Sequence, residues 1–172
     1  FAAAPSQNDV LLALVNDKTI EWNRINAYHM DEYVGLAKDA PQGFGNFLRR
    51  AIFDVVPFKS VNCIDTEAPC PNCECKRYGQ MLTDNPTDIV VLGIGENGHI
   101  AFNDPGVADF NDEAVVKVVE LDAMCRQQQV NDGCFACIDD VPAHAMTLTI
   151  PALAAGRHRF CTVPARTKAW AV

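Results

Sequence analysis

No apolar stretch in this chain approaches the length of a membrane span. No signal peptide is visible, and there is no internal repeat or low-complexity segment. Positive charge is also scarce. Lys and Arg number 14 against 22 Asp and Glu, a formal net charge of −8. A chain without a general basic surface has little with which to neutralise a polyphosphate backbone, which excludes a nucleic-acid partner. A small phosphorylated ligand is still possible, held by backbone amides and one or two local cations.

What is present is ordinary globular composition. Of 172 residues, 49% are apolar and 21% charged, enough for one domain with a real core. We read residues 1–172 as a single domain. It starts inside an apolar run, Phe1 to Ala4, and further chain is expected at both ends.

Periodicity alternates between strand and helix. Phe1 to Ala4, Ile25 to Met30, Ser60 to Ile64, Asp88 to Ile94, Ala114 to Leu121, Ala145 to Ile150 and Phe160 to Val163 are strand candidates. Asn8 to Val15, Phe47 to Val56, Glu74 to Leu82 and a start at Thr167 have helical spacing. Asp88 to Ile94 is an unbroken apolar run of the kind buried in parallel sheets. The alternation predicts an α/β fold, a mostly parallel sheet with helices on both faces. Ligands in such sheets sit beyond the carboxyl ends of strands, which directs attention to the loops after Ala4, Met30, Ile94 and Val163.

Gly93-Ile94-Gly95-Glu96-Asn97-Gly98 matches G-x-G-x-x-G after a strand. The dinucleotide reading fails on context. A helix should open at once, and instead the chain runs to Pro105, a poor helix residue. The alternatives are a glycine-rich turn with an incidental histidine, or a titratable His99 set beside Asn97, Asn103 and Asp104 for proton transfer.

Gly93 to Pro105, GIGENGHIAFNDP, resembles the signature of the glucosamine-6-phosphate deaminase/isomerase family, close to G-x-G-x-D-G-H-I-A-F-N-E-P. His29 to Leu36, HMDEYVGL, is similar to that family's N-x-D-E-Y-V-G-L. Pro5-Ser6-Gln7 falls where the family has its first phosphate-binding loop, and Lys168 near its phosphate-contacting lysine. The resemblance implies a Rossmann-like fold of the deaminase/isomerase type. It also implies an enzyme converting a hexosamine 6-phosphate to a ketohexose 6-phosphate with loss of ammonia. The expected setting is a cytoplasmic homo-oligomer with no cofactor, no metal and no membrane partner.

The resemblance gives Asp31 the role of the base at the substrate's C2 and His99 that of ring opening, backed by Asn97 and Asp104. Ser6, Gln7, Gly95 and Lys168 are expected to hold the substrate and its phosphate. Glu32 is expected to support the loop, and His29 to share the face of Asp31 if the strand persists. Two positions depart from the family. Asn97 stands for an aspartate, and Asp104 for a glutamate one methylene longer. An amide oxygen can accept from an imidazole N–H, but it does not stabilise imidazolium as a carboxylate would. The family's downstream phosphate arginine has no counterpart in register, although Arg126 is nearby. A non-catalytic sugar-phosphate sensor and a phosphogluconolactonase are the competing readings. The lactonase loop lacks the H-I-A-F-N-acid-P continuation kept here.

Eight cysteines are many for this length. Cys70, Cys73 and Cys75 with Cys63, and Cys134 with Cys137, have spacings that permit a tetrahedral zinc site if they meet in space. Without an export signal, free thiols are the expected state. Cys125 and Cys161 sit in apolar settings and are expected in the core.

Overall fold

The computed structural model describes residues 1–164 and 166–172. Its elements in chain order are α1 (Asn8–Asn16), β1 (Asn26–Tyr28), β2 (Asp31–Tyr33), α2 (Phe44–Leu48), β3 (Ser60–Asn62), α3 (Pro71–Asp84), β4 (Ile89–Leu92), β5 (Val116–Glu120), α4 (Ala123–Asn131), β6 (His144–Leu148), α5 (Ile150–Ala154) and β7 (His158–Cys161). A π-helical turn, Arg49–Phe53, continues α2. A 3-10 turn, Pro5–Gln7, leads into α1. None of the described helices is long and apolar enough to cross a membrane.

The α/β class follows the sequence pattern, with a mixed arrangement of strands. β1 pairs in parallel with β3, and β4 with β7. Residues 1–4 lie between these pairs, since the Phe1 nitrogen donates to Tyr28 O and Ala2 N to Val91 O. This segment bridges the two parallel pairs, each of which is a two-stranded sheet. The other three strands form an antiparallel sheet in the order β2-β6-β5.

The predicted strand Ile25 to Met30 is broken in two. β1 stops at Tyr28, the chain bends at Met30, and Asp31 opens β2 against β6. Tyr78 of α3 fixes the bend. Its buried hydroxyl lies 3.1 Å from His29 N and 3.0 Å from the carbonyl oxygens of both His29 and Asn62. The His29 ring turns into the interior, where Nε2 accepts from Ile64 N at 2.8 Å. His29 therefore does not share the pocket with Asp31. Its side chain is part of the core, and burial lowers its pKa to about 3, so the ring is neutral.

Three clusters make the core. One packs α3 against the sheets through Tyr78, Leu82, Val90, Met146 and Leu148. A second gathers Leu11, Trp22, Leu48, Ile52 and Phe53 beneath α1. The third is aromatic. Tyr33 lies 4.9 Å from Phe44, 5.4 Å from Phe102 and 5.5 Å from Phe135, centroid to centroid. Such tilted and edge contacts add to the area they bury, and here they tie β2 to the loop that follows β4.

The cysteines depart from the reduced reading at one place. Cys70 and Cys73 form a disulfide across the first turn of α3. The i, i+3 spacing at a helix start brings the two side chains onto one side. Cys125 is buried as expected, but Cys161 is exposed, because β7 has neighbours on one edge alone among the described residues.

Replacing Tyr78 by Phe removes the hydroxyl, leaving His29 N without its acceptor and the His29 and Asn62 carbonyls without the one O–H they share. Tyr78→Phe should cost about 1–3 kcal/mol in urea unfolding. A loss within error would show that the bend at His29 is held by packing alone.

Candidate active site

A cleft of about 650 Å³ opens at the carboxyl ends of β1, β4, β7 and the segment 1–4. Asp31, His99, Ser6, Gln7, Gly95 and Lys168 all line it. Two motifs some 60 residues apart in sequence thus meet in one hollow, as the sequence reading required. Asn97 and Asp104 stand behind the histidine rather than on the wall.

Asp31 and Glu32 enter the interior side by side on β2, and alternation sends them to opposite faces. Glu32 finds donors. Its carboxylate accepts from Tyr33 N and Phe44 N at 3.0 Å and from Gly45 N at 2.8 Å, which anchors the start of α2. Burial raises the Glu32 pKa, and these three amides partly offset the rise. Its supporting role follows from that geometry. Asp31 accepts no hydrogen bond from any described residue. Burial, and then the Glu32 charge, raise its pKa to about 8. A carboxyl held this way is a stronger base than one in water once its proton has left.

His99 is placed by the glycine turn before it. Gly98 adopts a left-handed φ of +89°, and Gly95 N donates to His99 O at 2.9 Å, closing the turn. The imidazole lies directly over the Gly95 Cα, where a Cβ would overlap the ring. Gly95 therefore gives clearance for His99, a role the sequence did not specify. His99 Nδ1 is 2.7 Å from Asn97 Oδ1 and 3.3 Å from Asp104 Oδ1. Asn97 Nδ2 in turn donates to Asp104 Oδ1 at 2.9 Å. With its amide oriented by Asp104, Asn97 presents an acceptor to the ring, which puts the proton on Nδ1 and leaves Nε2 as the basic atom. Burial pushes the Asp104 pKa up, but the hydrogen bonds from His99 and Asn97 outweigh that and leave it below its ordinary value.

The loop is pinned to the sheet that carries Asp31. Phe102 N donates to Thr147 Oγ1 at 3.1 Å, and Thr147 is the β6 residue opposite Asp31. Asn103 Nδ2 donates to Leu148 O at 2.8 Å and Ile100 O at 2.9 Å.

At the other end of the cleft, the Ser6 side chain stands at the entry to α1. Gln7 contributes differently from a phosphate contact through its backbone. Its side chain is buried, with Nε2 donating at 3.2 Å to Ser6 Oγ and to Thr162 O. It orients Ser6 and fastens the turn to the loop after β7. Its carboxamide oxygen has no partner among the described residues. Lys168 lies on the last 3-10 turn, Arg166–Lys168. Three further residues line the cleft: the exposed Arg50 at its rim, from the π-turn, and Gln128 and Gln129 from α4, which has no amphipathic signal. Arg126 is absent from the wall. Its guanidinium binds Ile138 O and Val141 O and fixes α4 to the following loop.

Residues 6–172 match the family model described as glucosamine-6-phosphate isomerases/6-phosphogluconolactonase. A glucosamine-6-phosphate deaminase of Exiguobacterium is 35% identical over 153 residues, covering 89% of this chain and 58% of the relative. One of Bacillus cereus is 35% identical over 162 residues, 94% of this chain and 60% of the relative. Among solved structures, a monomeric glucosamine-6-phosphate deaminase superposes with a TM-score of 0.79 at 29% identity, over 91% of this chain and 65% of that one. A 6-phosphogluconolactonase from Trypanosoma brucei gives 0.75 at 18% identity, over 99% and 70%, a likeness of fold. The chain spans about six-tenths of the length of these curated relatives.

Two measurements test this geometry. Gly95→Ala should shift the His99 imidazole resonances and leave those of buried His29 in place; unmoved His99 signals would count against the contact. Asp31 bears on stability through its proton. Its pKa is 3.8 in the unfolded chain and about 8 in the fold, so between those values the folded state keeps a proton that the unfolded chain releases. Stability therefore falls as pH rises from about 4 to about 8. Asp31→Asn should flatten that slope and stabilise the protein near pH 8 by on the order of a few kcal/mol. A variant with the wild-type slope would contradict it.

Proposed function

Since this chain belongs to the family of glucosamine-6-phosphate isomerases and 6-phosphogluconolactonases, we propose that it isomerises and deaminates a hexosamine 6-phosphate. The products are a ketohexose 6-phosphate and ammonia. The observation that carries this reading is the shared cleft, in which the uncompensated carboxyl of Asp31 and the backed imidazole of His99 accompany Ser6 and Lys168.

The cyclic sugar must first open. His99 Nε2 takes the proton of the anomeric hydroxyl, and a proton is returned at the ring oxygen. Asp31 then removes the proton from C2, next to the carbonyl carbon, and delivers it to C1. The ketose-level imine left at C2 is hydrolysed, and ammonia departs. The substrate's own ammonium favours the carboxylate form of Asp31 as it binds. Holding base and carbon together in one cleft supplies much of the acceleration, because enforced proximity compensates for a modest base. Asn97 and Asp104 fix the His99 tautomer. Ser6, oriented by Gln7, and Lys168 take the phosphate, with the entry to α1 adding its positive end. Assembly as a homo-oligomer and a cytoplasmic setting belong to the same proposal. The epimer, glucosamine or galactosamine, turns on a single hydroxyl.

Asn97 favours a second reading. An amide in the family's carboxylate position is also what a sugar-phosphate sensor with weakened chemistry would carry. One experiment separates the two. With glucosamine 6-phosphate in deuterated water, the wild type should exchange the C2 proton and release ammonia, and Asp31→Asn should do neither. Binding without exchange leaves the sensor, and exchange that survives Asp31→Asn removes Asp31 as the base. In the same assay Asn97→Asp should move the pH optimum upward, because a carboxylate beside His99 favours imidazolium. An unmoved profile would mean that residue 97 does not govern the ring.

A further inference from the structure

His99, Asp104 and Cys125 each offer one potential ligand atom, and these three atoms lie within 4.8 Å of one another. Cys125 comes from the first turn of α4, held there by Asp122, whose carboxylate accepts from Cys125 N at 2.6 Å. The other two sit on the loop after β4. The three residues span about 26 positions with no metal-like spacing, so the sequence carried no sign of the group.

Two features make this more than a chance meeting of side chains. Asp104 is 1% exposed; its Oδ1 serves both Asn97 and His99, while its buried Oδ2 has no well-formed hydrogen bond among the described residues, with the carboxylate's remaining donors the Cys125 thiol and the Asp122 amide beside it. A buried carboxylate oxygen left unpaired is costly, and a cation is one group that would satisfy it. The second feature is charge. Carboxylate, thiolate and neutral imidazole sum to −2, so a divalent ion makes the group neutral, which suits a buried position.

We infer that His99, Asp104 and Cys125 form a binding site for a soft divalent cation of the zinc or cobalt type. Bonds of about 2.0–2.3 Å in tetrahedral arrangement place neighbouring ligand atoms roughly 3.2–3.8 Å apart, so the cluster closes by about 1 Å through side-chain rotation. The group lies behind the imidazole, where the Asn97 carboxamide oxygen, 2.7 Å from His99 Nδ1, stands nearest as a fourth ligand. The Cys125 thiol proton is released to solvent as the metal–sulfur bond forms, and the His99 proton passes from Nδ1 to Nε2, so the ring binds as the other neutral tautomer. Magnesium and calcium are rejected, because imidazole and thiolate are poor ligands for hard cations. The bound ion would occupy the ring and carboxylate that are proposed to open the sugar, so the site is inhibitory. That consequence rests on the proposed role of His99. The binding itself does not.

The test uses the full chain with its Cys70–Cys73 disulfide intact and Co²⁺ as the probe, read by absorption. One equivalent should bind and produce a thiolate-to-cobalt charge-transfer band. Zn²⁺ should bleach the band, and excess Mg²⁺ should not. Cys125→Ser should remove it, and His99→Gln should weaken cobalt binding by more than roughly tenfold. The paired change Cys134→Ser with Cys137→Ser should leave it intact. The site is wrong if no cobalt binds, if the band survives Cys125→Ser, if His99→Gln binds as tightly as the wild type, or if the band disappears with Cys134 and Cys137.

Discussion

Two adjacent carboxylates enter the protein interior on a three-residue strand, and only one of them finds donors. Burying a carboxylate without partners disfavours its charged form. Glu32 is compensated by three backbone amides, two of them at the start of α2. Asp31 on the opposite face is not, and the negative charge of Glu32 raises its pKa further. The local structure is arranged around keeping this imbalance. The bend at His29 turns the strand inward, Tyr78 holds the bend, and the aromatic cluster around Tyr33 prevents β2 from moving out toward water. The base proposed at Asp31 is a carboxyl denied its usual company, while its neighbour, with full company, builds the scaffold.

The same short strand also sets where the histidine goes. Thr147 faces Asp31 across the β2–β6 ladder and accepts from Phe102 in the loop that carries His99. Asn103 then fastens the loop end to the backbone of β6. Ala101, a non-glycine residue with a φ of +52°, lies between Phe102 and Ile100, whose carbonyl accepts from Asn103. Its strained backbone persists because both sides are pinned. Asp31 and His99 therefore take their positions from one strand, β6. Their separation is less sensitive to breathing of the larger parallel sheet than if each hung from its own loop.

Much of this could be read from the residues, and what could not has identifiable causes. An unbroken apolar run announced β4, shorter strand-like segments pointed to β5 and β6, and the spacing of Val10, Leu11 and Leu14 announced α1. The two motifs identified Asp31 and His99 because their residue types are tied to the chemistry. β2 was missed because three residues, Asp-Glu-Tyr, look like an acidic turn until something else buries them. The antiparallel pairing was missed for the same reason, since a local pattern carries no strand direction. α4, Ala123–Asn131, has a run of three glutamines and no apolar stripe, so periodicity was silent. It is kept helical by its Asp122 cap and by Arg126, and it delivers Gln128 and Gln129 to the cleft. Gln7 reads as a polar loop residue because nothing in sequence shows that Gly93 leaves room for its side chain.

Asn97 is the position where sequence and structure pull apart most usefully. Read as a list of residue types, an amide in place of a carboxylate is a loss of charge beside the histidine. In the fold it sits between two groups with opposite needs. Asp104 Oδ1 requires a donor and His99 Nδ1–H requires an acceptor, and one carboxamide supplies both, at 2.9 and 2.7 Å. A carboxylate at 97 would meet the histidine equally well but would confront Asp104 with a second negative charge at hydrogen-bond distance. One of the two would then have to hold a proton or draw one onto the ring. The shorter side chain at 104 and the amide at 97 are thus a matched pair. Asp104 reaches only as far as the space behind the ring, and Asn97 relays its orientation to Nδ1. The outcome is an imidazole with a fixed orientation and a single anion behind it. That suits a group that accepts a proton and gives it up again better than it suits one held permanently as imidazolium.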